Sequence, residues 1–436
     1  MRLPAMRSFA FGLVTVPWLA MACSGTSSKH ILHDDDGGAA GADAERNGGA
    51  AGFGGPTTAG GDSGPAAGSA GQPESGGAPP EAGTNGGGAG GDGGASGDAG
   101  AGGDGGAGGA PEAVTRCLAA FGTDAVVVDF SVVEFPLLTA SGHPAQLTLG
   151  PDGNIWFTDD THNYLGRITP QGDITEFPFG TAGTPGAGGI VAGPDANLWF
   201  SEEAGRTIGR MTMTGVLTEF PLPQVASGWD TASGLAVGPD GNIWFAEWLG
   251  ERVGRLTTDG QFQTFTVPSG GMNALIAAGP DGNLWFTENA ANRVARVTPA
   301  GVVTEFAIPT AASSPRGVVS GPGGKLWFAE EATGNLATVT TAGDVHELPL
   351  NSATSQPRGI AIGPDGNVWI AERGSNAIGR MTPDGSAKDF PLPTADSDVR
   401  YVTLGRDCGL WFTEYSAGQI GKLTLTFASG AGGAGP

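Results

Sequence analysis

The chain has 436 residues, 80 of them glycine, and a formal net charge of −23. So large an acidic excess argues against nucleic acid or an anionic bilayer as a partner. Beyond the first 22 residues no apolar run approaches the roughly 18 that would span a membrane.

Arg2 and Arg7 precede an apolar stretch from Phe9 to Leu19, and Ala20-Met21-Ala22 offers the small residues a signal peptidase accepts. Residues 1–22 are therefore expected to direct export and be removed. Cys23 then resembles the lipid-accepting cysteine of bacterial lipoproteins, which implies a cell-envelope protein held at the outer membrane or cell surface. The alternative is free secretion with Cys23 as an unpaired thiol. Residues 23–113 are rich in Gly, Ala and Asp, with scarcely a large apolar side chain, and cannot offset chain entropy by burial. A glycine-rich coil of about 80 residues reaches roughly 50 Å, so this segment reads as a disordered tether.

Residues 114–427 follow a different rule. Seven copies of one phrase, a tight turn followed by an apolar aromatic strand and a carboxylate, centre on Trp156, Trp199, Trp244, Trp285, Trp327, Trp369 and Trp411. Successive copies stand 41 to 45 residues apart, the length of one four-stranded sheet. The pattern predicts an all-β, seven-bladed β-propeller of four-stranded blades. The fourth repeat shows the layout: strands a to d at 275–278, 284–287, 294–298 and 302–308, with turns at Gly279-Pro280-Asp281-Gly282-Asn283 and Pro299-Ala300-Gly301.

The first strand, 132–137, has the character of an outer strand d, since Glu134-Phe135-Pro136 parallels Glu219-Phe220-Pro221. The last repeat stops after a strand c at 420–425. The N-terminal strand is thus expected to complete blade 7 and close the ring, leaving no open sheet edge. Cys117 and Cys408 both fall at this seam and on one face. A disulfide between them, worth about 3 to 5 kcal/mol, is expected there, the alternative being two buried thiols. Residues 428–436 form a glycine-rich tail.

Seven identical positions point to architecture. The Trp-Phe pairs are expected to fill the gaps between blades. The acids that follow them, Asp159, Glu202, Glu247, Glu288, Glu330, Glu372 and Glu414, are expected on the rim of the opposite face. There they would accept bonds from loop backbone, pair with a strand-c arginine (Arg167, Arg210, Arg255, Arg296 or Arg380), or hold a hard cation.

The phrases Gly-Pro-Asp-Gly-Asn-Ile-Trp-Phe, Ile-Gly-Arg and Thr-Glu-Phe-Pro-Leu-Pro resemble the virginiamycin B lyase (streptogramin lyase) family over about residues 132–425. The resemblance implies a seven-bladed propeller that opens an ester-closed cyclic depsipeptide by elimination, with magnesium and histidines at the top of the late blades. Glu372 and Glu414 would be the carboxylates holding magnesium or assisting catalysis. In the phrases that match the family's catalytic histidines this chain has Arg358 and Arg400. Guanidinium keeps its charge and offers no lone pair to a proton or a metal, which argues against the lyase activity.

Arg316, Arg358 and Arg400 stand at the head of strand a in blades 5 to 7, where blades 1 to 4 carry Ala145, Gly188, Ser233 and Ala274. With Asp398, Tyr401 and Tyr415 nearby, they form a candidate site for a carboxylate, a sulfate or a polar peptide. The alternative is that each arginine pairs with Glu330, Glu372 or Glu414. Trp229 and Trp248, in top loops of blade 3, break the sevenfold pattern and offer a stacking platform. His143 and His162, in top loops of blade 1, are the candidate replacement bases. Three functions compete: a surface-tethered, monomeric binding module for a small molecule or peptide, a magnesium-dependent carbon-oxygen lyase, and a lactonase-like hydrolase. The first is preferred, with membrane contact only through a lipid on Cys23.

Overall fold

The structure, a computed structural model, describes residues 110–121, 126–179, 186–202, 206–223, 231–248, 251–270 and 273–428. The expected leader, Cys23, the tether, Trp229 and the glycine-rich tail lie outside the described residues. A helix, Ala110–Phe121, is followed by seven four-stranded antiparallel sheets. In blade 4 the strands are Asn273–Ala278, Leu284–Glu288, Arg293–Val297 and Val303–Ala307, hydrogen-bonded in the order a-b-c-d. Strands a of adjacent blades pack against one another around the axis. The chain is an all-β seven-bladed propeller.

The first strand, Val127–Pro136, pairs antiparallel with Gln419–Phe427, the strand c of blade 7. The N-terminal strand therefore closes the ring. It is longer than the expected 132–137, because Val127 reaches a partner as distant as Phe427. The extra pairing forms a ribbon at the lower end of blade 7, the side of the a-to-b turns.

The helix was not anticipated, and it braces this lower end. Val114, Cys117, Leu118 and Phe121 recur at helical spacing, Ala113 and Cys117 are buried in the seam core, and the Phe121 ring meets Phe427 at 4.5 Å. Cys117 is disulfide-bonded to Cys408 in the a-to-b turn of blade 7, with 5.7 Å between Cα atoms and 291 residues between the partners. The core shared by blades 6, 7 and 1 also includes residues of this helix.

Elsewhere the core repeats blade by blade. Trp199 of blade 2 packs with Ile243, Phe245 and Leu256 of blade 3, and Trp244 of blade 3 with Ile276 and Phe286 of blade 4. Each indole thus fills the gap to the next blade, and all seven are at most 2% exposed. The aromatic or aliphatic side chain beside it lies over glycine or alanine on strand c, and in blade 3 glycine is required. A Cβ on Gly254 would lie 2.0 Å from Phe245 Cζ.

A polar stitch accompanies each indole. In blade 4 the Trp285 indole donates to Asp281 of the a-to-b turn at 3.1 Å, Arg296 lies 3.6 Å from the same carboxylate, and Arg296 also donates to Thr341 O of blade 5 at 2.9 Å. Equivalent contacts join Arg210 to Thr258 O, Arg255 to Pro299 O and, across the seam, Lys422 to Pro170 O. The strand-c cations therefore serve the turn aspartates and the neighbouring blade. This corrects the expectation that they pair with the acids ending strand b, except that Arg252, at the start of strand c, does bind Glu247 at 3.0 Å. Blade 5 has lost both partners, having Gly323 in its turn and Thr338 on strand c, and its Trp327 donates to Pro322 O instead. Asp281→Ala is expected to lower the urea-unfolding free energy by about 1 to 3 kcal/mol, since it strips an indole and a guanidinium of one acceptor.

Candidate functional site at the mouth of the ring

Each strand a carries a bulge at its upper end. In blade 6 the pairing steps from Pro357 opposite Glu372 to Ile360 opposite Ile370, and in blade 7 from Val399 opposite Glu414 to Val402 opposite Phe412. The same shift occurs in the other five blades. A bulge releases its residue from strict alternation and re-aims the side chain. Arg316, Arg358 and Arg400 occupy these bulges. Gly317 and Gly359 follow the first two because neighbouring backbone leaves no space: a Cβ on Gly317 would lie 2.3 Å from Arg358 O, and one on Gly359 2.6 Å from Tyr401 Cα.

Below the bulges, strand-a side chains such as Leu147, Ile190, Leu235 and Val318 narrow the channel to a cavity of about 60 Å³, with Tyr401 and Gln146 at its lining. The charged groups stand above it, at the mouth.

There the arginines form two linked groups. Arg316 Nε donates to Glu331 Oε2 at 2.7 Å, and Arg358 Nε stands 3.7 Å from Glu331 Oε1. Thr287 of blade 4 fixes the Arg316 backbone by donating to its carbonyl at 2.6 Å. Trp248 lies 5.0 Å from the Arg316 guanidinium. In the second group Arg373 Nε is 2.8 Å from Asp398 Oδ1, while Arg400 donates to Asp398 Oδ2 at 2.8 and 3.1 Å. Burial alone would raise the Asp398 pKa, but the bond and charge of Arg400, then Arg373 and Arg358, outweigh it and hold the carboxyl below its ordinary value.

The second group continues into blade 1. The Arg400 guanidinium lies 3.3 Å from the Tyr415 ring centroid, the His143 ring packs on the same tyrosine at 4.6 Å, and the Tyr415 hydroxyl donates to Asp160 at 2.6 Å. His143 Nδ1 is 4.0 Å from Asp160 Oδ1. Burial raises the pKa of Asp160 despite the favourable bond from Tyr415.

Sequence reasoning had not singled out Asp160, Glu331 or Arg373. All three, with Trp248 and Tyr415, hold one repeat position, the residue immediately after the acid ending strand b. The mouth is therefore built from three repeat positions: this one, the strand-a bulge, and the residue two before the bulge, which supplies His143 and Asp398. The signal was present in the sequence as a position that varies between copies whose neighbours do not.

Other expected site residues lie elsewhere. His162 is held by buried Asp159, with Nδ1 at 3.2 Å from Oδ1 and its backbone N–H on the same oxygen, while Tyr164 donates to Asp159 Oδ2. Glu372 and Glu414 do not stand on the mouth. Their side chains reach outward across strand c, where a Cβ on Gly379 would meet Glu372 Oε1 at 1.9 Å, toward Asp389 and Glu134 of strand d. Glycine on strand c makes that crossing possible. Among the described residues the mouth arginines pair with Glu331 and Asp398, not with Glu330, Glu372 or Glu414.

No three of His, Cys, Asp and Glu converge to hold a metal ion among the described residues. With Asp398 engaged by two arginines and Glu372 and Glu414 turned outward, the described residues do not fit a magnesium ion at the mouth.

A closed ring of seven four-stranded blades, its N-terminal strand completing the last, defines a seven-bladed β-propeller. The sequence pattern of the Virginiamycin B lyase family matches residues 130–357 and, overlapping, 318–429, and the chain belongs to that family. A streptogramin B lyase structure is 34% identical, with a TM-score of 0.64, covering 68% of this chain and 98% of that one. Virginiamycin B lyase from Staphylococcus aureus is 33% identical with a TM-score of 0.63, covering 68% of this chain and all of that one, and a catalytically inactive histidine-to-alanine variant of it with quinupristin matches equally. The extracellular domain of a putative one-component system from B. thetaiotaomicron, 16% identical over 67% of this chain and 42% of its own with a TM-score of 0.53, shares the fold alone. No curated protein sequence matches.

Proposed function

We propose that the chain is an exported propeller, tethered to the cell envelope through Cys23, that binds a ligand at its mouth without transforming it. The observation that carries this reading is the arginine at the bulge of blades 6 and 7. Arg358 and Arg400 occupy the phrases in which the family resemblance places catalytic histidines, and a guanidinium neither takes a proton near neutral pH nor ligates a metal. The unfit of the mouth carboxylates for magnesium adds to it.

A second reading, a carbon-oxygen lyase, is favoured by one observation: His143 sits at the mouth beside Asp160 and Tyr415. In that reading His143 takes a proton from the carbon next to the ester-bearing carbon as the C–O bond breaks and a carboxylate leaves. The test is incubation of the purified chain with quinupristin and magnesium, followed by mass spectrometry. The expected result is unchanged quinupristin. Linear, ring-opened product that disappears in His143→Ala overturns the binding reading.

A further inference from the structure

Away from the mouth, blade 6 departs from the other blades in how its strand-b acid is satisfied. Five residues after that acid, at the start of strand c, six blades carry Tyr164, Thr207, Arg252, Arg293, Asn335 and Gln419, and blade 6 carries Ala377. Tyr164, Arg252, Asn335 and Gln419 donate directly to the acid of their own blade. Strand d of blade 6 is shortened as well. Asp389 holds the position at which Glu134, Glu176, Glu219, Glu305 and Glu347 are one methylene longer. Both truncations border the carboxyl of Glu372, whose Oε1 lies over Gly379, the strand-c residue paired with Asp389.

The bonding shows the consequence. Among the described residues, Glu372 is the strand-b acid with both oxygens buried and without a hydrogen-bond partner, at 0% exposure. In blades 2, 5 and 7 the strand-b acid hydrogen-bonds the strand-d acid, whereas Asp389 acts on Glu372 through its charge. Asp389 accepts from Asn351 Nδ2 at 2.8 Å, while Glu347 and Glu134 each take both the N–H and the hydroxyl of a threonine. Ser355 Oγ, in the loop entering blade 6, is buried without a partner. Its counterpart in blade 7, Ser397, donates to Asn376 and bonds Glu414. Two carboxyls therefore face one another with neither a donor nor a cation between them.

We propose that blade 6 holds a calcium ion between Glu372 and Asp389, in the place that a strand-c side chain takes in the other blades. Two carboxylates supply the charge, and the neutral oxygens of Ser355, Ser375 and Asn351, with water, are the candidates for the remaining positions. Calcium suits the site better than magnesium. It accepts irregular shells of roughly six to eight oxygens, whereas magnesium keeps several waters in strict octahedral geometry, and a carboxyl as buried as Glu372 leaves them little room. The site is independent of whatever the mouth binds.

Isothermal titration and thermal melting of the EDTA-treated full chain at about pH 8.5, with calcium chloride and with magnesium chloride, test the proposal. Calcium is expected to bind with a dissociation constant of about 0.1 to 1 mM, as sites with few charged ligands do. At about ten times that concentration it is expected to raise the melting temperature by about 2 °C. Glu372→Gln is expected to abolish both effects. Ala377→Gln is expected to do the same by giving blade 6 the amide that bonds Glu414 in blade 7, and its melting temperature without calcium checks that the fold is kept. Glu330→Gln is expected to retain both effects, since Glu330 has donors of its own in Thr333 and Asn335. A calcium response that survives either Glu372→Gln or Ala377→Gln belongs to acidic groups elsewhere in the chain and overturns the proposal. The absence of any response, or an equal response to magnesium, overturns it too.

Discussion

Raising the pH from 5.5 to 8.5 is expected to lower the melting temperature of the propeller by several degrees. Five blades set the acid ending strand b close to a second carboxylate on strand d: Glu202 with Glu219, Glu288 with Glu305, Glu330 with Glu347, Glu372 with Asp389 and Glu414 with Glu134. Burial first, and then the neighbouring charge, pushes Glu202, Glu288, Glu330 and Glu414 up to about 7 and Glu372 up to about 8. A carboxyl whose pKa is raised on folding binds its proton more tightly in the native state. Its contribution is complete below the unfolded value near 4.5 and is lost as the pH climbs through 7 to 8.

Each such group contributes on the order of 2 kcal/mol, and the five act in the same direction. Asp195, Asp240, Asp398 and Asp407 are shifted downward and set the acid limit, because their contribution disappears as the pH falls through values below 3.8. Maximum stability is therefore expected at about pH 4 to 5, above the range in which the aspartates lose their contribution and before the glutamates lose theirs. Glu372→Gln checks the assignment: it should raise the melting temperature at pH 8.5 and leave it nearly unchanged at pH 5.5. A flat profile between these pH values would mean that the pairs are ionised and solvated.

Breaking Cys117–Cys408 is the second large effect. The bond joins residues 291 apart and ties the helix to the blade that the N-terminal strand completes. In the chain-entropy account its loss costs about 3 to 5 kcal/mol. The Cys117→Ser, Cys408→Ser double variant is expected to show that drop in urea unfolding, with early exchange of amide hydrogens in Ala110–Phe121. A loss under about 1 kcal/mol would show that strand pairing and the apolar seam hold the ring closed by themselves.

Blade number, strand order and ring closure were legible because a tight turn, an aromatic pair and an acid recur at one period, and because the strand types at the two ends are complementary. The helix was not. Its alanines continue the composition of the preceding segment, and only Val114, Cys117, Leu118 and Phe121 mark its apolar face. The direction of the strand-b acids was misjudged for a different reason. Strand alternation says which face a side chain leaves, but Glu372 crosses strand c over Gly379, a path set by an absent side chain on another strand. The arginine positions were found as departures from a sevenfold pattern. Their projection into the mouth depends on the bulges, which are a matter of hydrogen-bond register and leave no composition behind.

That register shift separates scaffold from preference. Because each bulge residue lies outside the ladder of its own sheet, its identity can differ from blade to blade while the frame stays whole: Arg316, Arg358 and Arg400 stand where the other blades have Ala145, Gly188, Ser233 and Ala274.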